Sequence, residues 1–344
     1  MAFRTFFGLF IILFNTALSA AEIKLTPSHP SEYTVKQSDT LWDISEKFLQ
    51  NPWQWSEIWN KNSKIENPNL IFPGDIIALT FVNGKPQLGF AEHNNGRLLA
   101  PRMREIDTQD AIKIIPIESI APFLSSPKIV NKNELDSAPY VVDFAKEHLL
   151  GGAGDRIYVR SIEQPKTLNY TIYREGKEFL HPETKNALGY EANYIADAVM
   201  QRSGDPATLE ITKSRSVIRK GDKLMPTEDS KVALNFFPRP PETEIKGSII
   251  SVLDGVSQIG QHNIVVINKG SANGLKSGHV LKIFQRGRTI KDYYGKLQND
   301  KVTLPNEEAG TLMLFRVFEN ISYALVMRVK DAIHVSDYVV TPLN

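Results

Sequence analysis

From Gly151 onward the apolar residues come in short runs of β-branched and aromatic side chains, such as Ile157-Tyr158-Val159, Tyr170-Thr171-Ile172-Tyr173 and Ile264-Val265-Val266-Ile267. Runs of this length, separated by turn residues, predict strands, so strands should dominate the chain beyond Gly151. Some of these strands recur in order. Tyr170 to Gly176, Ala207 to Ile211 and Lys220 to Pro226 resemble Leu281 to Gly287, Tyr323 to Met327 and Val335 to Pro342 in the same succession. The recurrence predicts a duplicated β-module, residues 151–237 and 243–344, with Pro238-Arg239-Pro240-Pro241 as a stiff boundary. The alternative is two unrelated antiparallel units that share strand and turn patterns.

What holds such a chain together is narrowed by its lack of cysteine. Disulfides, thiolate metal sites, thiol nucleophiles and a lipidated N-terminal Cys are all removed at once. Stability must come from apolar cores, and 344 residues at 42% hydrophobic content leave room for two or three. The formal net charge is +1, with Lys and Arg interspersed among Asp and Glu, so no basic surface is set aside for nucleic acid.

Residues 1–20 have the pattern of an export signal: Arg4 near the start, an apolar core from Phe6 to Phe14, and small residues from Ala17 to Ala21 with cleavage expected near Ala20 or Ala21. That core is well short of the ~20 residues that cross a bilayer. No later segment is long and apolar enough to do so. The expectation is an exported, periplasmic chain without a transmembrane span once mature, a setting that suits a disulfide-free protein of this size.

Residues 33–79 read as a first folded unit. Tyr33-Thr34-Val35 is a short β-type run, Thr40 is placed to cap a helix with Asp43 three residues on, and Leu41, Ile44 and Phe48 fall on one face. Asn51-Pro52 predicts a second helix start, with Trp55, Ile58 and Trp59 at helical spacing. Asn67-Pro68-Asn69 breaks the chain, Pro73-Gly74 turns it, and Ile76 to Leu79 returns as a strand. Residues 80–150 read as a connecting α/β region, with a hairpin through Asn83-Gly84, a polar tip at His93 to Gly96, a helix around Glu118 to Leu124 and an apolar stretch from Tyr140 to Phe144. The whole is therefore expected to be an α+β multidomain chain, a strand-helix-helix-strand unit followed by mainly β modules.

Two blocks of this first unit, Tyr33-Thr-Val-Lys-Gln-Ser-Asp-Thr-Leu-Trp-Asp-Ile-Ser45 and Asn67-Pro-Asn-Leu-Ile-Phe-Pro-Gly-Asp-Ile-Ile-Ala-Leu79, resemble the LysM family in order and spacing. The resemblance implies a βααβ fold that binds polymers of N-acetylglucosamine, peptidoglycan above all. It also implies where the sugar lies, in a shallow groove between Ser38, Asp39, Thr40 and Leu41 on one side and Asn69, Leu70, Ile71, Phe72 and Pro73 on the other. An N-acetyl sugar offers an amide to backbone donors and acceptors, and a methyl group and ring faces to apolar side chains. Many members carry Gly where this chain has Ser38, so the first loop departs from the family pattern. Caps and core packing are the other use of the same residues, and Trp53 is the one tryptophan left as a candidate for stacking.

A wall-binding module often accompanies a hydrolase. His29, His93, His148, His181, His262, His279 and His334 are scattered and form no HxH or HExxH, so no metal site and no cofactor is expected. Glu118-Ser119 is similar to the Glu-Ser pair of lytic transglycosylases, but the glycine and glutamine motifs that follow it there are missing. Gly151-Gly-Ala-Gly154 lacks the Lys-Ser/Thr of a phosphate loop and predicts a turn. The sequence thus points to a non-enzymatic protein that binds peptidoglycan through residues 33–79, with β-modules for another envelope protein. The alternative is a cell-wall hydrolase with an unfamiliar active site in residues 97–344.

Overall fold

A computed structural model of the chain describes residues 23–59, 71–91, 111–124, 128–145, 149–162, 165, 167–227, 236–253, 258–294 and 300–342. The segment read as an export signal, and the polar tip at His93 to Gly96, lie outside these residues.

The N-terminal unit runs β1 (Glu32–Thr34), α1 (Leu41–Phe48), a 3₁₀ turn (Pro52–Gln54), α2 (Trp55–Trp59), β2 (Ile76–Val82) and β3 (Lys85–Phe90). Thr40 starts α1 with a capping box: its hydroxyl accepts from the Asp43 N–H, and the Asp43 carboxylate accepts from the Thr40 N–H. Leu41, Ile44 and Phe48 are buried together with Trp55, Ile58 and Trp59 in one core. Asn51 precedes the second helical segment, but its side chain caps nothing, and Pro52 opens a 3₁₀ turn before the α-helix begins at Trp55. The sheet is three-stranded in the order β1-β2-β3. Asn83 and Gly84, both with positive φ, make the two-residue turn that carries β2 back as β3, so pairing extends past Leu79 to Phe90.

After α3 (Ile117–Leu124), β4 (Lys128–Val130) and α4 (Lys132–Ser137), the chain enters the first of two rings. It contains β5 (Tyr140–Phe144), β6 (Arg156–Arg160), β7 (Asn169–Leu180), β8 (Ala187–Arg202), β9 (Ala207–Ser214) and β10 (Lys223–Pro226). Around the ring the order is β5-β6-β9-β8-β7-β10, closed by the β8–β9 and β10–β5 pairings, with β4 added outside β8. Its first strand therefore lies upstream of Gly151, where the β-rich region was expected to begin. Gly151 to Gly154 form the expected turn, with Gly154 at φ +88°.

The second ring is built from β11 (Lys246–Val252), β12 (Ile264–Ile267), β13 (Val280–Gln285), a projecting hairpin β14 (Thr289–Asp292) and β15 (Asp300–Thr303), then β16 (Glu307–Val317), β17 (Ser322–Val329) and β18 (Tyr338–Val340). Its six ring strands close in the order β11-β12-β17-β16-β13-β18, which repeats the first ring strand for strand. Small features repeat as well. Asp222 accepts from the Arg219 N–H and Asp337 from the His334 N–H, each after a positive-φ residue, Gly221 or Ser336. In the second matched segment, however, the hydrogen bonds equate Ile211 with Val326, not with Met327. Ile211 N–H donates to Asp155 C=O and Val326 N–H to Asn263 C=O, while Gly154 and His262 donate to the carbonyls of Ile211 and Val326. The similarity of Ala207–Ile211 to Tyr323–Met327 is thus one residue out of register, and one residue exchanges the two faces of a strand.

Each ring is filled by its own core. A further cluster lies outside the second ring, where Ile264, Val266, Met313, Phe315, Tyr323 and Leu325 meet Trp42 and Trp53 of the N-terminal unit, Ile120 of α3, and Phe179 from the long β7–β8 hairpin. The N-terminal unit is thereby seated on the second ring. Across the same contact Arg328 Nε lies 2.7 Å from Glu46 Oε1.

Candidate functional site

The two loops of the N-terminal unit are each braced from within before they can offer anything to a ligand. Asp39 Oδ2 accepts from the Tyr33 hydroxyl and the Lys36 N–H, both at 2.8 Å. Burial, the hydrogen bond to Asp39 and the charges of Asp39 and Asp43 push the Tyr33 phenol up to about 12, so it remains a donor at neutral pH. On the facing side Asp75 Oδ2 accepts from the Phe72 N–H at 2.8 Å. Gly74 N–H donates to Val35 C=O, and Val35 N–H to Asp75 C=O, each at 2.8 Å, which sets the two loops side by side.

Of the residues expected to line the groove, Ser38 is exposed, Asp39, Phe72 and Pro73 are half-buried, and Thr40 and Leu41 are buried. Ile71 is 0% exposed and packs its side chain into the core of the unit, which leaves only its backbone for a ligand. Asn69 and Leu70 lie outside the described residues.

That backbone already has a partner. Ile71 C=O accepts from the Ile112 N–H at 2.8 Å, and on the facing loop Leu41 N–H donates to Lys113 C=O at 2.8 Å and Trp42 N–H to Ile114 C=O at 3.2 Å. The first N–H groups of a helix have no partner within it, and they form a natural seat for a ligand oxygen. In α1 they are accounted for: Leu41 and Trp42 by the incoming carbonyls, Asp43 by the Thr40 hydroxyl. Residues 112–114 therefore bridge the two loops. Ile112 joins the core of the unit, whereas Ile114 and Ile115 join the cluster shared with the second ring. The sequence offers a signal for this in the apolar run Ile112-Lys113-Ile114-Ile115, but nothing local in it says where the run docks.

Trp53, the candidate for stacking, is only 4% exposed and lies 6.4 Å from Trp42, ring centroid to centroid, in the shared cluster. Burial of that extent makes it a packing residue. Glu118 sits on exposed helix surface in an ion pair with Lys113. The Lys113 hydrogen bond holds its carboxyl below the usual range, opposite to the raised value that a general acid requires. Among the described residues no group of three or more His, Asp or Glu is placed to hold a metal ion. An open recess of about 520 Å³ beside the β14–β15 hairpin is lined by Arg286, Gly287, Thr289, Thr303, Leu304, Pro305, Asn306 and Tyr338, with no carboxylate among them. No helix among the described residues is long and apolar enough to cross a membrane.

With this geometry in place, residues 33–80 match the family model of the LysM domain. The chain is also similar to an uncharacterized protein of Bacillus subtilis strain 168, YqbP, at 42% identity over 62 residues. That stretch covers 15% of this chain and 28% of the relative, so the chain spans little more than a quarter of the length of the protein it matches.

Proposed function

We propose that this protein binds peptidoglycan, or other polymers of N-acetylglucosamine, through residues 33–80 and carries out no chemistry on them. The observation that carries the reading is the match of those residues to the LysM domain, together with the helix pair and sheet that they and the strand after them form. Ser38, Asp39, Thr40 and Leu41, with Asn69, Leu70, Ile71, Phe72 and Pro73, are the sugar-facing loops in this proposal. A binding role in place of hydrolysis is supported by Glu118, whose ion pair and exposure suit a surface helix. The export signal read in residues 1–20 supports a periplasmic location, where such a polymer is found.

The two rings enter the proposal as copies of one module, on the strength of their common strand order. They would engage another envelope protein, and the feature that supports this is the β14–β15 hairpin. Tyr293 and Tyr294, just after β14, are 81% and 99% exposed, and Ile290 and Val302 on the same hairpin are exposed too.

The test is to incubate the mature chain with purified sacculi and to measure both pelleting and soluble sugar. Pelleting that a short N-acetylglucosamine oligomer competes away, without release of wall fragments, is the expected result. Fragment release abolished by Glu118→Gln would establish the hydrolase instead.

A further inference from the structure

The groove assigned to the glycan is bridged by the chain itself. Two carbonyls of residues 112–114 take the free N–H groups at the start of α1, and one N–H takes the carbonyl of Ile71 on the facing loop. These are the backbone groups that an acetamide, with one carbonyl and one N–H, would use. Their present occupant also buries Ile112 against Leu41 and Ile71, and Ile114 and Ile115 against Trp42 and Trp53.

We propose that residues 112–114 are an internal occupant of the LysM groove, which keeps the full chain closed to glycan except in the fraction of molecules where the segment is lifted out. The proposal rests on the glycan-binding reading above. Sugar and segment compete for Leu41 N–H, Trp42 N–H and Ile71 C=O, so binding one requires release of the other. The apparent dissociation constant is then the intrinsic one divided by the open fraction. The segment leads through Ile114 and Ile115 into α3 and the outer face of the second ring. Anything that draws the second ring or α3 away from the N-terminal unit, a docked envelope protein for example, opens the groove. Ligand at the rings and glycan at the groove then assist each other by one and the same factor.

Ile112→Asp places a carboxylate where the segment meets the core of the unit, and a charge cannot stay there unpaired. Calorimetric titration of the parent and this variant, both full-length, with a short N-acetylglucosamine oligomer reads the effect. The variant should bind at least ~10-fold more tightly. Hydrogen exchange should show the Leu41 and Trp42 amides protected in the parent and exchanging in the variant before sugar is added. Equal affinity with the segment released would overturn the internal occupant and leave glycan binding standing. Absence of binding by both, with the segment released, would overturn the glycan reading and this proposal with it. Should the variant unfold, the parent alone decides: saturating oligomer must accelerate exchange at Ile112, and continued protection there with sugar bound rejects competition.

Discussion

The two rings share strand order, pairing and an aspartate turn, yet they differ in what lies outside them. At equivalent outward positions the first ring carries Arg156, Tyr158, Val199, Thr208 and Glu210, where the second carries Ile264, Val266, Met313, Tyr323 and Leu325. The inward positions are apolar in both. In the first ring β6 accordingly alternates between buried and more exposed residues, whereas β12 of the second is buried at all four. A strand with an unbroken apolar run has two faces to cover. Here the second cover is the N-terminal unit, α3 and the β7–β8 hairpin. The difference teaches that one fold serves once with a polar outer face on β6 and β9, covered elsewhere by β4 and α4, and once, with an apolar face there, as the platform on which the N-terminal unit is mounted.

The sharpest way to break the comparison is to give the second ring the first ring's surface. Leu325→Glu reproduces the residue at the equivalent position, Glu210, but places its charge inside the shared cluster. It should cost about 3–5 kcal/mol in denaturant unfolding, while the reverse change, Glu210→Leu, should stay within about 0.5 kcal/mol. Similar losses from both substitutions would mean that the outer faces are not distinct.

A smaller difference is expected at the shared turns. Asp222 receives both Arg174 Nε and Arg174 Nη2 at 2.8 Å in addition to its turn N–H, whereas Asp337 accepts backbone N–H groups from His334 and Arg286. The pair is partly buried, with the Asp222 side chain 4% exposed. Asp222→Asn should cost about 3 kcal/mol and Asp337→Asn about 1 kcal/mol, as read from the two melting curves.

Glu308 in the second ring tests the same barrel through pH. Burial raises its carboxyl, but hydrogen bonds from Lys330 and Lys282 prevail and hold it below the usual range. A carboxylate with a lowered folded value stabilises above its unfolded value, and the gain disappears as pH falls through the folded one. Glu308→Gln should therefore cost about 1 kcal/mol or less at neutral pH and flatten the acid limb of the stability profile. An unchanged acid limb would remove Glu308 from the account.

The smallest effect is expected at the ion pair between the N-terminal unit and the second ring. Burial raises the Glu46 carboxyl further than Arg328 lowers it. With a raised folded value, its contribution is present below the unfolded value and lost as pH rises through the folded one. At neutral pH the Glu46–Arg328 pair then adds little, and Glu46→Gln should change stability by about 0.5 kcal/mol or less. A larger loss would move the hold between unit and ring from the tryptophans to the ion pair.

Local signals in the sequence were the reliable ones. The Thr40 cap, the Asn83-Gly84 turn and the helix over Ile117–Leu124 each depend on neighbours within a few residues, and each stands where the spacing placed it. Asn51 and Pro52 offered an equally local start signal, yet the chain there forms a 3₁₀ turn with Trp53 and Trp55 both buried. Packing outweighed the cap. What the sequence withheld is long-range: that Tyr140–Phe144 belongs to the first ring, that Tyr323 faces outward one residue out of register with Ala207, and that residues 112–114 cross the loops of the N-terminal unit. Each follows from a pairing between segments far apart in the chain, and neither residue type nor period encodes a partner's position. The two loops were legible through their family resemblance, whereas the segment that bridges them left only an apolar run in a connecting region.

Ring closure has a consequence for the order in which this chain can fold. Each barrel is sealed by its first and last strands, β5 with β10 and β11 with β18. Neither seal can form until all the intervening strands are in place, and loop-closure entropy delays contacts of such wide sequence separation. Until then β5 and β11 each keep one edge of unpaired N–H and C=O groups, open to another chain. The hairpins β7–β8 and β16–β17, local in sequence and the longest pairings in their rings, are the natural nuclei. The last strands to arrive, β10 and β18, are four and three residues long and convert two sticky intermediates into closed cylinders.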